Sequence, residues 1–356
     1  MGKAETRQYN LDILKAVAII AMVICHPVSR LGSYIPGYEE DFWYFLGEDF
    51  FGSYVFVAHG FMFALGVGMI YTRNGDPSSM IRRGIKLYLM GYIFNFVRYG
   101  IYIIIADVVT GDIIAETWEA LFSIGILHFA GLAFILTAIL KALRLTEVQI
   151  LVISIVLSAI GSFIPYLDTG NPILDYLVGH FVSTNYLSSF VLFNWYICVA
   201  FGRLIGSALH NTRDKDRLYK KMLFISGGIM AIYVVLTARF GVYFLSMNRE
   251  YYAASTLEMM GLLSIDVFGL SVFYFILQKA EVSRFKILIE MSMNITAIYF
   301  IHWMILGPTE VIFCYMLGYT FTDPQIYLYA AVLLPVSTYA AARWRSRKHR
   351  VKSGLI

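Results

Sequence analysis

Four ionisable side chains interrupt the apolar stretch between residues 9 and 30. They are Asp12 and Lys15 at one end and His26 and Arg30 at the other. At about 100° per residue, all four fall on one side of a helix. An ionisable group at membrane depth costs on the order of 3 kcal/mol, so such groups turn towards a cavity or a partner. We therefore expect this face of the helix to line a functional site.

A second histidine, His302, lies near the outer end of a later apolar stretch, at a depth similar to that of His26. Arg30, Glu258 and Glu310 are expected to flank the two imidazoles. Histidine titrates near neutral pH, which suits a general base. These residues therefore predict an outward-facing acid/base site, in which His302 could stabilise an oxyanion and Glu258 could orient an imidazole. The thiol of Cys25 is a weaker candidate, because it points about 100° away from His26 on the same helix.

Arg98 lies too deep in its apolar stretch to extend comfortably to the cytoplasm. It is a second candidate for stabilising an oxyanion. A structural interpretation stays open, because Glu258 and Asp266 on a later helix are natural ion-pair partners for Arg98 and Arg239.

Several cations are expected at the inner surface: Lys15, Arg82, Arg83, Lys86 and Arg203. They are ordinary membrane anchors in the structural interpretation. In the functional one they bind the phosphates of a cofactor, because guanidinium groups match phosphate oxygens. The sequence alone leaves both open.

The composition indicates a polytopic membrane protein rather than a soluble domain. Of 356 residues, 59% are hydrophobic and 15% charged, and the mean hydropathy is +0.67. The three cysteines form no metal-ligand spacing, and no metal is expected. The net charge of +4 comes largely from the basic C-terminal tail, residues 344–356, which is typical of a membrane anchor. No nucleic-acid partner is expected.

A hydrocarbon core about 30 Å thick needs roughly 20 apolar residues per helix, and the chain offers about ten such stretches. They are residues 11–30, 50–71, 82–106, 118–141, 147–165, 189–209, 221–246, 255–278, 287–306 and 325–343. The predicted fold is all-α, one domain over residues 1–356, with the helices around a central cavity. Residues 307–323 predict an outer half-helix.

Charged residues in the loops predict the orientation. Basic residues including Lys3, Lys141 and Arg144, together with the C-terminal tail, fall on one side, which the positive-inside rule makes cytoplasmic. Both termini are then cytoplasmic. The opposite loops carry carboxylates: Glu39, Glu40, Asp41, Glu48, Asp49, Asp107, Asp112, Glu116, Asp168 and Asp175.

Several motifs resemble transmembrane acyltransferases. The opening LDILKAVAIIAMVICHP resembles their first-helix signature, and AIYFIHWMIL is similar to a late helix of the acyltransferase-3 branch. Three further segments resemble the branch that contains heparan-alpha-glucosaminide N-acetyltransferase. They are FMFALGVGMIYTRNGDPSSMIRRGIKLYLMGYIFNFVR, WEALFSIGILHFAGLAFIL and FNWYICVAFGRLIG.

This resemblance implies transfer of an acyl group, usually acetyl from cytosolic acetyl-CoA, to a sugar hydroxyl or amine across the membrane. It implies that His26 is catalytic or orients the acceptor, and that Arg82, Arg83 and Lys86 hold the phosphates of coenzyme A. Lys15 stands where the family usually has Arg, which keeps the charge but loses the bidentate fork. The outer loop of residues 31–51 contains no histidine, so His26 or His302 must supply the base.

Our interpretation is therefore an integral membrane acyltransferase in a bacterial inner membrane. Its expected partners are acyl-CoA, a glycan or lipid-linked sugar acceptor and the bilayer, and a homodimer stays open. An acyl-histidine intermediate also stays open. A proton-coupled small-solute transporter is the alternative, because such carriers use intramembrane His, Glu, Asp and Arg. A sensor or scaffold without turnover is a third.

Overall fold

The computed structural model describes residues 7–54, 56–72, 75–110, 121–164, 166–184, 188–241, 244–246 and 251–352. Lys3, Asp112 and Glu116, which were used to predict the orientation, lie outside these residues. So do residues 118–120 at the start of a predicted span and residues 353–356 of the basic tail.

The described chain is helical, as predicted. Its main α-helices are α1 (Tyr9–Gly32), α2 (Ala58–Ile70), α3 (Pro77–Asn95), α4 (Ile126–Ala142), α5 (Glu147–Ser162), α6 (Pro172–Val178), α7 (Leu192–Asn211), α8 (Lys215–Phe240), α9 (Thr256–Lys279), α10 (Lys286–Met293), α11 (Ile295–Thr309) and α12 (Asp323–Lys352). Phe45–Tyr54 is a π-helix, and α3 continues through a π-turn at Phe96–Gly100 into the helix Ile101–Thr110.

Within the described residues, seven helical stretches are long and apolar enough to cross a membrane. They are Tyr9–Gly32, Pro77–Ile105, Leu192–Asn211, Lys215–Phe240, Thr256–Lys279, Ile295–Met316 and Asp323–Arg347. The other three predicted spans coincide with the shorter apolar helices α2, α4 and α5. At 1.5 Å per residue, the 13 residues of α2 reach about 20 Å. The count of ten spans and the cytoplasmic termini stay predictions.

Residues 307–316 continue α11 and do not start a separate half-helix. The helix runs through Pro308 into a π-helix, Glu310–Met316. Proline removes one backbone N–H from the helical ladder, and a locally wider turn is a common accommodation. The outer half-helix predicted for residues 307–323 is therefore replaced, up to Met316, by an extension of the ninth predicted span.

The chain divides into two compact units. Unit 1 comprises Ala58–Ile93 and Phe122–Tyr274 together with Arg7, and unit 2 comprises Gln8–Val57, Phe94–Leu121 and Phe275–Ile356. The candidate catalytic histidines belong to unit 2. Most of the candidate phosphate-binding cations belong to unit 1.

In unit 1, α7 packs closely against α2 at two glycines. A Cβ on Gly66 would lie 2.1 Å from the carbonyl oxygen of Val199, and one on Gly202 would lie 2.1 Å from that of Phe63. Only glycine allows the two backbones to approach this far. A Cβ on Gly68, two residues further along α2, would meet open space, so the contact lies on the Gly66 face of the helix.

In unit 2, α1 is the central helix. It packs against α10, α11, α12 and the π-helix Phe45–Tyr54. Gly47 lets that π-helix approach α1, because a Cβ there would lie 2.5 Å from the side chain of Val28. About 72% of the most apolar part of α1 is buried. On its polar face, Asp12 is buried and Lys15, His26 and Arg30 are half-buried.

Candidate active site

The two predicted histidines are in direct contact in unit 2. His26 Nδ1 lies 2.8 Å from His302 Nε2. The two rings are stacked, with an interplanar angle of 13° and centroids 5.1 Å apart. His302 is fully buried and His26 is half-buried. The sequence placed them at similar depth, and the structure joins them through one hydrogen bond.

The hydrogen bonds determine which nitrogen of each neutral imidazole carries the proton. His302 Nδ1 lies 2.9 Å from the carbonyl oxygen of Ile298. A carbonyl can only accept, so this Nδ1 donates and His302 Nε2 holds a lone pair. His26 Nδ1 must then donate to His302 Nε2. Neutral His26 consequently keeps its own lone pair on Nε2, the nitrogen that faces away from His302.

Trp303 connects the histidine pair to Arg98. Its ring centroid lies 4.6 Å from that of His26, and the Arg98 guanidinium carbon lies 4.2 Å from the Trp303 ring. The same guanidinium lies 3.9 Å from the ring of Tyr99. Arg98 is thus held against two aromatic faces, an arrangement that attracts a cation.

Among the described residues, Arg98 has no carboxylate partner, and its Nε is buried without a hydrogen-bond acceptor. Gly307 on α11 permits the close approach of the Arg98 backbone, because a Cβ there would lie 2.6 Å from the Arg98 carbonyl oxygen. The π-turn Phe96–Gly100 that carries Arg98 is a type of irregularity often found at functional sites. The ion pair considered for Arg98 in the structural interpretation is absent from the described residues.

Arg30 and Glu310 form a bidentate ion pair beside this group. Arg30 Nη2 donates to Glu310 Oε1 at 2.6 Å, and Arg30 Nε donates to Oε2 at 3.0 Å. The guanidinium also lies 5.3 Å from the ring of Tyr99. Arg30 is one turn beyond His26 on α1, so the pair ties α1 to the extension of α11 near the histidines. The sequence named both residues as neighbours of the site but did not predict that they pair with each other.

Glu258 lies in unit 1 and makes different contacts from those predicted. It accepts a short hydrogen bond from the hydroxyl of Tyr233 and a longer one, at 3.4 Å, from the backbone N–H of Leu245. Asp266, the other candidate partner for an arginine, contacts His59 Nδ1 with both carboxylate oxygens at 3.0 Å. Both carboxylates therefore have partners within unit 1 other than Arg98 and Arg239, the arginines considered for them from the sequence. Catalytic participation of Glu258 stays a prediction.

Arg82, Arg83 and Lys86 are exposed at the start of α3 in unit 1. None of them forms an ion pair within the described part of the chain. The Arg83 guanidinium lies 4.7 Å from the ring of Phe134. Gly84 brings α3 and α4 together here, since a Cβ there would lie 2.7 Å from the Gly131 carbonyl oxygen. Their charges are available to an anion.

The other two candidate phosphate ligands are already paired. Arg203 Nε donates to Glu147 Oε2 at 2.9 Å, and Nη2 makes a shorter bond to Oε1. Its exposure is 0%, so an anion could not reach it without displacing its neighbours. Lys15, in unit 2, lies 3.5 Å from Asp12, which also accepts from the hydroxyl of Ser292 at 2.7 Å. This geometry favours the structural interpretation for Arg203.

Sequence reasoning missed three parts of the site: the rings of Trp303 and Tyr99 and the carbonyl of Ile298. Each was adjacent or one helical turn away from a residue that was named. Tyr99 follows Arg98, Trp303 follows His302, and Ile298 precedes His302 by four residues. Cys25 is buried and its thiol donates to the Met22 carbonyl at 3.4 Å, which fits a packing role.

Comparison with known proteins supports the resemblance found in the sequence. The family model described as "Acyltransferase domain", of the acyltransferase-3 type, matches residues 8–342. No curated protein matches the chain. The comparisons give no support to a transporter. With a match over nearly its whole length and several membrane-spanning apolar helices, the chain is a multi-pass integral membrane protein and belongs to the acyltransferase-3 family.

Proposed function

We propose that this protein transfers an acyl group, acetyl in the simplest case, from cytosolic acyl-CoA to a sugar or glycan on the outer side of a bacterial cell membrane. The observation that carries the proposal is the His26–His302 pair. A donor–acceptor chain from His26 through His302 to the Ile298 carbonyl leaves a lone pair on His26 Nε2. That nitrogen is the general base.

The reaction follows from this assignment. His26 Nε2 takes the proton of the acceptor hydroxyl or amine as the acceptor attacks the thioester carbonyl carbon. The resulting tetrahedral oxyanion collapses, the carbon–sulfur bond breaks, and the proton on His26 passes to the departing coenzyme A sulfur. The products are the acylated acceptor and free coenzyme A, and His26 is neutral again. His302 acts through His26, so it is a positioning residue in this scheme.

Arg98 is suited to stabilise the oxyanion. Its guanidinium shares the Trp303 ring with His26, and its buried Nε has no acceptor among the described residues. An unused donor in a site poor in water is worth more to a developing negative charge than one exposed to solvent. The lack of a carboxylate partner keeps its positive charge available.

Arg82, Arg83 and Lys86 are the proposed ligands of the donor's phosphates. They are exposed and free of carboxylate partners within the described chain, whereas Arg203 and Lys15 each contact a carboxylate. Phosphate binding by guanidinium groups is charge-assisted and commonly bidentate. Arg203 and Lys15 are therefore second choices for this role.

The test uses the full chain reconstituted in liposomes, with labelled acetyl-CoA outside and a panel of oligosaccharides inside. Vesicles are sorted by orientation, so that the expected cytoplasmic face meets the donor. We expect label on an oligosaccharide with wild type and none with His26→Ala, while Arg83→Ala binds acetyl-CoA more weakly. Absence of acetyl-CoA binding by wild type, or full transfer by His26→Ala, would reject the proposal. Rapid quenching distinguishes direct transfer from an acyl-histidine intermediate, because only the latter gives labelled protein before labelled glycan.

A further inference from the structure

A crevice of about 510 Å³ opens on unit 1 between α5, α7, α8 and α9. Its α8 wall is formed by Leu218, Lys221, Met222, Ile225, Ser226 and Ile229. These positions recur every three to four residues, so they form one face of the helix. Only about 11% of the most apolar part of α8 is buried in the protein. The crevice therefore opens on a helix that is largely surrounded by lipid.

The crevice wall is almost entirely apolar. Its two serines do not change this, because both hydroxyls are used within their own helices. Ser226 donates to the Met222 carbonyl at 2.5 Å and Ser264 donates to the Gly261 carbonyl at 2.5 Å. The remaining lining residues are aliphatic side chains, the thioethers of Met222 and Met260 and the ring of Phe201, with one exception, Lys221. Both serine hydroxyl groups would therefore keep their hydrogen bonds when a hydrocarbon chain occupies the crevice.

The length of the crevice matches one leaflet of a bilayer. The α8 wall runs from Leu218 to Ile229, and the 11 steps between these residues, at 1.5 Å each, give about 16 Å. Half of a hydrocarbon core about 30 Å thick is about 15 Å. Lys221 lies towards the N-terminal end of α8, which the positive-inside rule places at the cytoplasmic surface. An acyl chain in the crevice would thus put its headgroup near Lys221.

The charge around this end of α8 favours an anionic headgroup. Residues 213–221 contain Arg213, Lys215, Arg217, Lys220 and Lys221 against Asp214 and Asp216. Five cations and two carboxylates give a net charge of +3. Basic residues near the cytoplasmic surface attract anionic lipids by about 1 kcal/mol each. Lys221 is the member of this cluster that lines the crevice.

We infer that this crevice is a binding site for an anionic phospholipid of the inner leaflet, with one acyl chain between α5, α7, α8 and α9 and the phosphate at Lys221. The site lies within unit 1 and involves none of the residues assigned to acyl transfer. It is independent of the proposed reaction, and its test does not use turnover.

The test compares two photoactivatable lipids in nanodiscs that contain the full chain. Phosphatidylglycerol and phosphatidylcholine carry the same diazirine-bearing acyl chain, and labelled peptides are located by mass spectrometry. We expect phosphatidylglycerol to label the peptides of Leu218–Ile229 and Met260–Val267 about tenfold more than phosphatidylcholine. A factor of ten corresponds to 1.4 kcal/mol, the scale of one charge-assisted hydrogen bond.

Matched variants separate this site from general attraction to the surface. Lys221→Gln should remove the preference for phosphatidylglycerol, whereas Lys220→Gln, which removes an equal charge outside the crevice lining, should keep it. Ile225→Trp should narrow the crevice and reduce labelling of its walls, whereas Phe224→Trp, at an exposed neighbouring position, should not. Equal labelling by the two lipids, unchanged labelling in Ile225→Trp, or crosslinks from the crevice to a second copy of the chain would overturn the inference.

Discussion

Replacing His302 by alanine tests whether this histidine acts through His26. The substitution removes the acceptor, Nε2, that lies 2.8 Å from His26 Nδ1. Without it, neutral His26 is no longer held in the form that keeps the lone pair on Nε2. The imidazolium that forms during proton transfer also loses its hydrogen-bond partner. We therefore expect a lower kcat with a nearly unchanged KM for acetyl-CoA, because neither effect concerns donor binding.

The magnitude follows from the bond that is lost. A hydrogen bond to a charged group contributes about 1.5–3 kcal/mol, and each 1.36 kcal/mol of transition-state free energy changes the rate tenfold. The expected decrease in kcat is therefore about 10- to 150-fold. Complete loss of the base in His26→Ala should cost about 100- to 10,000-fold. The double variant should be no slower than His26→Ala alone, because a positioning residue has nothing to position once the base is removed.

Release of coenzyme A is measured in nanodiscs with a thiol reagent and a panel of oligosaccharide acceptors. His302→Gln keeps a side-chain acceptor and should recover part of the rate. Met304→Ala, at an exposed position on the same helix, is the control for general disturbance of α11. A wild-type rate in His302→Ala, or additive losses in the double variant, would refute the assignment of the His26 lone pair.

Three further predictions address the oxyanion, the donor and pH. Arg98→Gln should lower kcat about 100- to 1,000-fold, the usual cost of losing one hydrogen-bond donor to an oxyanion, while acetyl-CoA binding measured by calorimetry stays the same. Weaker binding with an unchanged kcat would mean that Arg98 binds acetyl-CoA instead. Arg83→Ala should raise KM about tenfold or more for acetyl-CoA, and equal affinity of the variant and wild type would exclude Arg83 as a phosphate ligand. Glu48, on the π-helix outside the membrane-spanning helices, has its pKa raised from 4.5 to about 8, chiefly by burial and further by the charge of Asp49. The folded protein thus holds this proton more tightly than the unfolded chain. The free energy of unfolding should therefore fall by a few kcal/mol as the pH rises from about 4.5 to 8, at about 1.4 kcal/mol per pH unit. Thermal unfolding between pH 5 and 9 should show a weaker pH dependence of stability in Glu48→Gln than in wild type. The same pH dependence in both proteins would assign the effect to another group.

The helices and the face of α1 could be predicted from the sequence because both are local properties. Apolar stretches of sufficient length and a stripe of charges at helical spacing are read directly from neighbouring residues. This reasoning also placed His26 and His302 at one depth, since both lie near the outer ends of helices running in the same direction. It could not show that they touch, because the pair is separated by 276 residues.

Partner choice among charged residues was the part that could not be predicted. Glu258 was a reasonable partner for an arginine by charge alone, yet it accepts from the hydroxyl of Tyr233. Asp266 likewise contacts His59 rather than an arginine. Complementary charge is shared by many residue pairs, whereas contact depends on how helices distant in sequence pack. The tautomer of His26 could not be predicted for the same reason, because it depends, through His302, on a contact with the backbone carbonyl of Ile298.

The arginines of this chain show how a half-buried cation can be kept available for chemistry. Arg30 and Arg203 each bind a carboxylate through two N–H groups, so their charge is neutralised where they lie. Arg98 instead lies against the rings of Tyr99 and Trp303. An aromatic face offsets part of the cost of burying a cation, by about 0.5–2 kcal/mol, without cancelling its charge. A carboxylate at the same place would bind the guanidinium more firmly but would repel the negative charge that develops on a thioester oxygen.

The absence of an ion pair at Arg98 among the described residues is therefore what oxyanion stabilisation requires, and introducing one offers a direct check. Trp303→Glu should give Arg98 a carboxylate partner and should therefore lower kcat more than Trp303→Gln. The Gln side chain has the same shape as Glu but carries no charge. Equal rates in the two variants would remove Arg98 from the reaction.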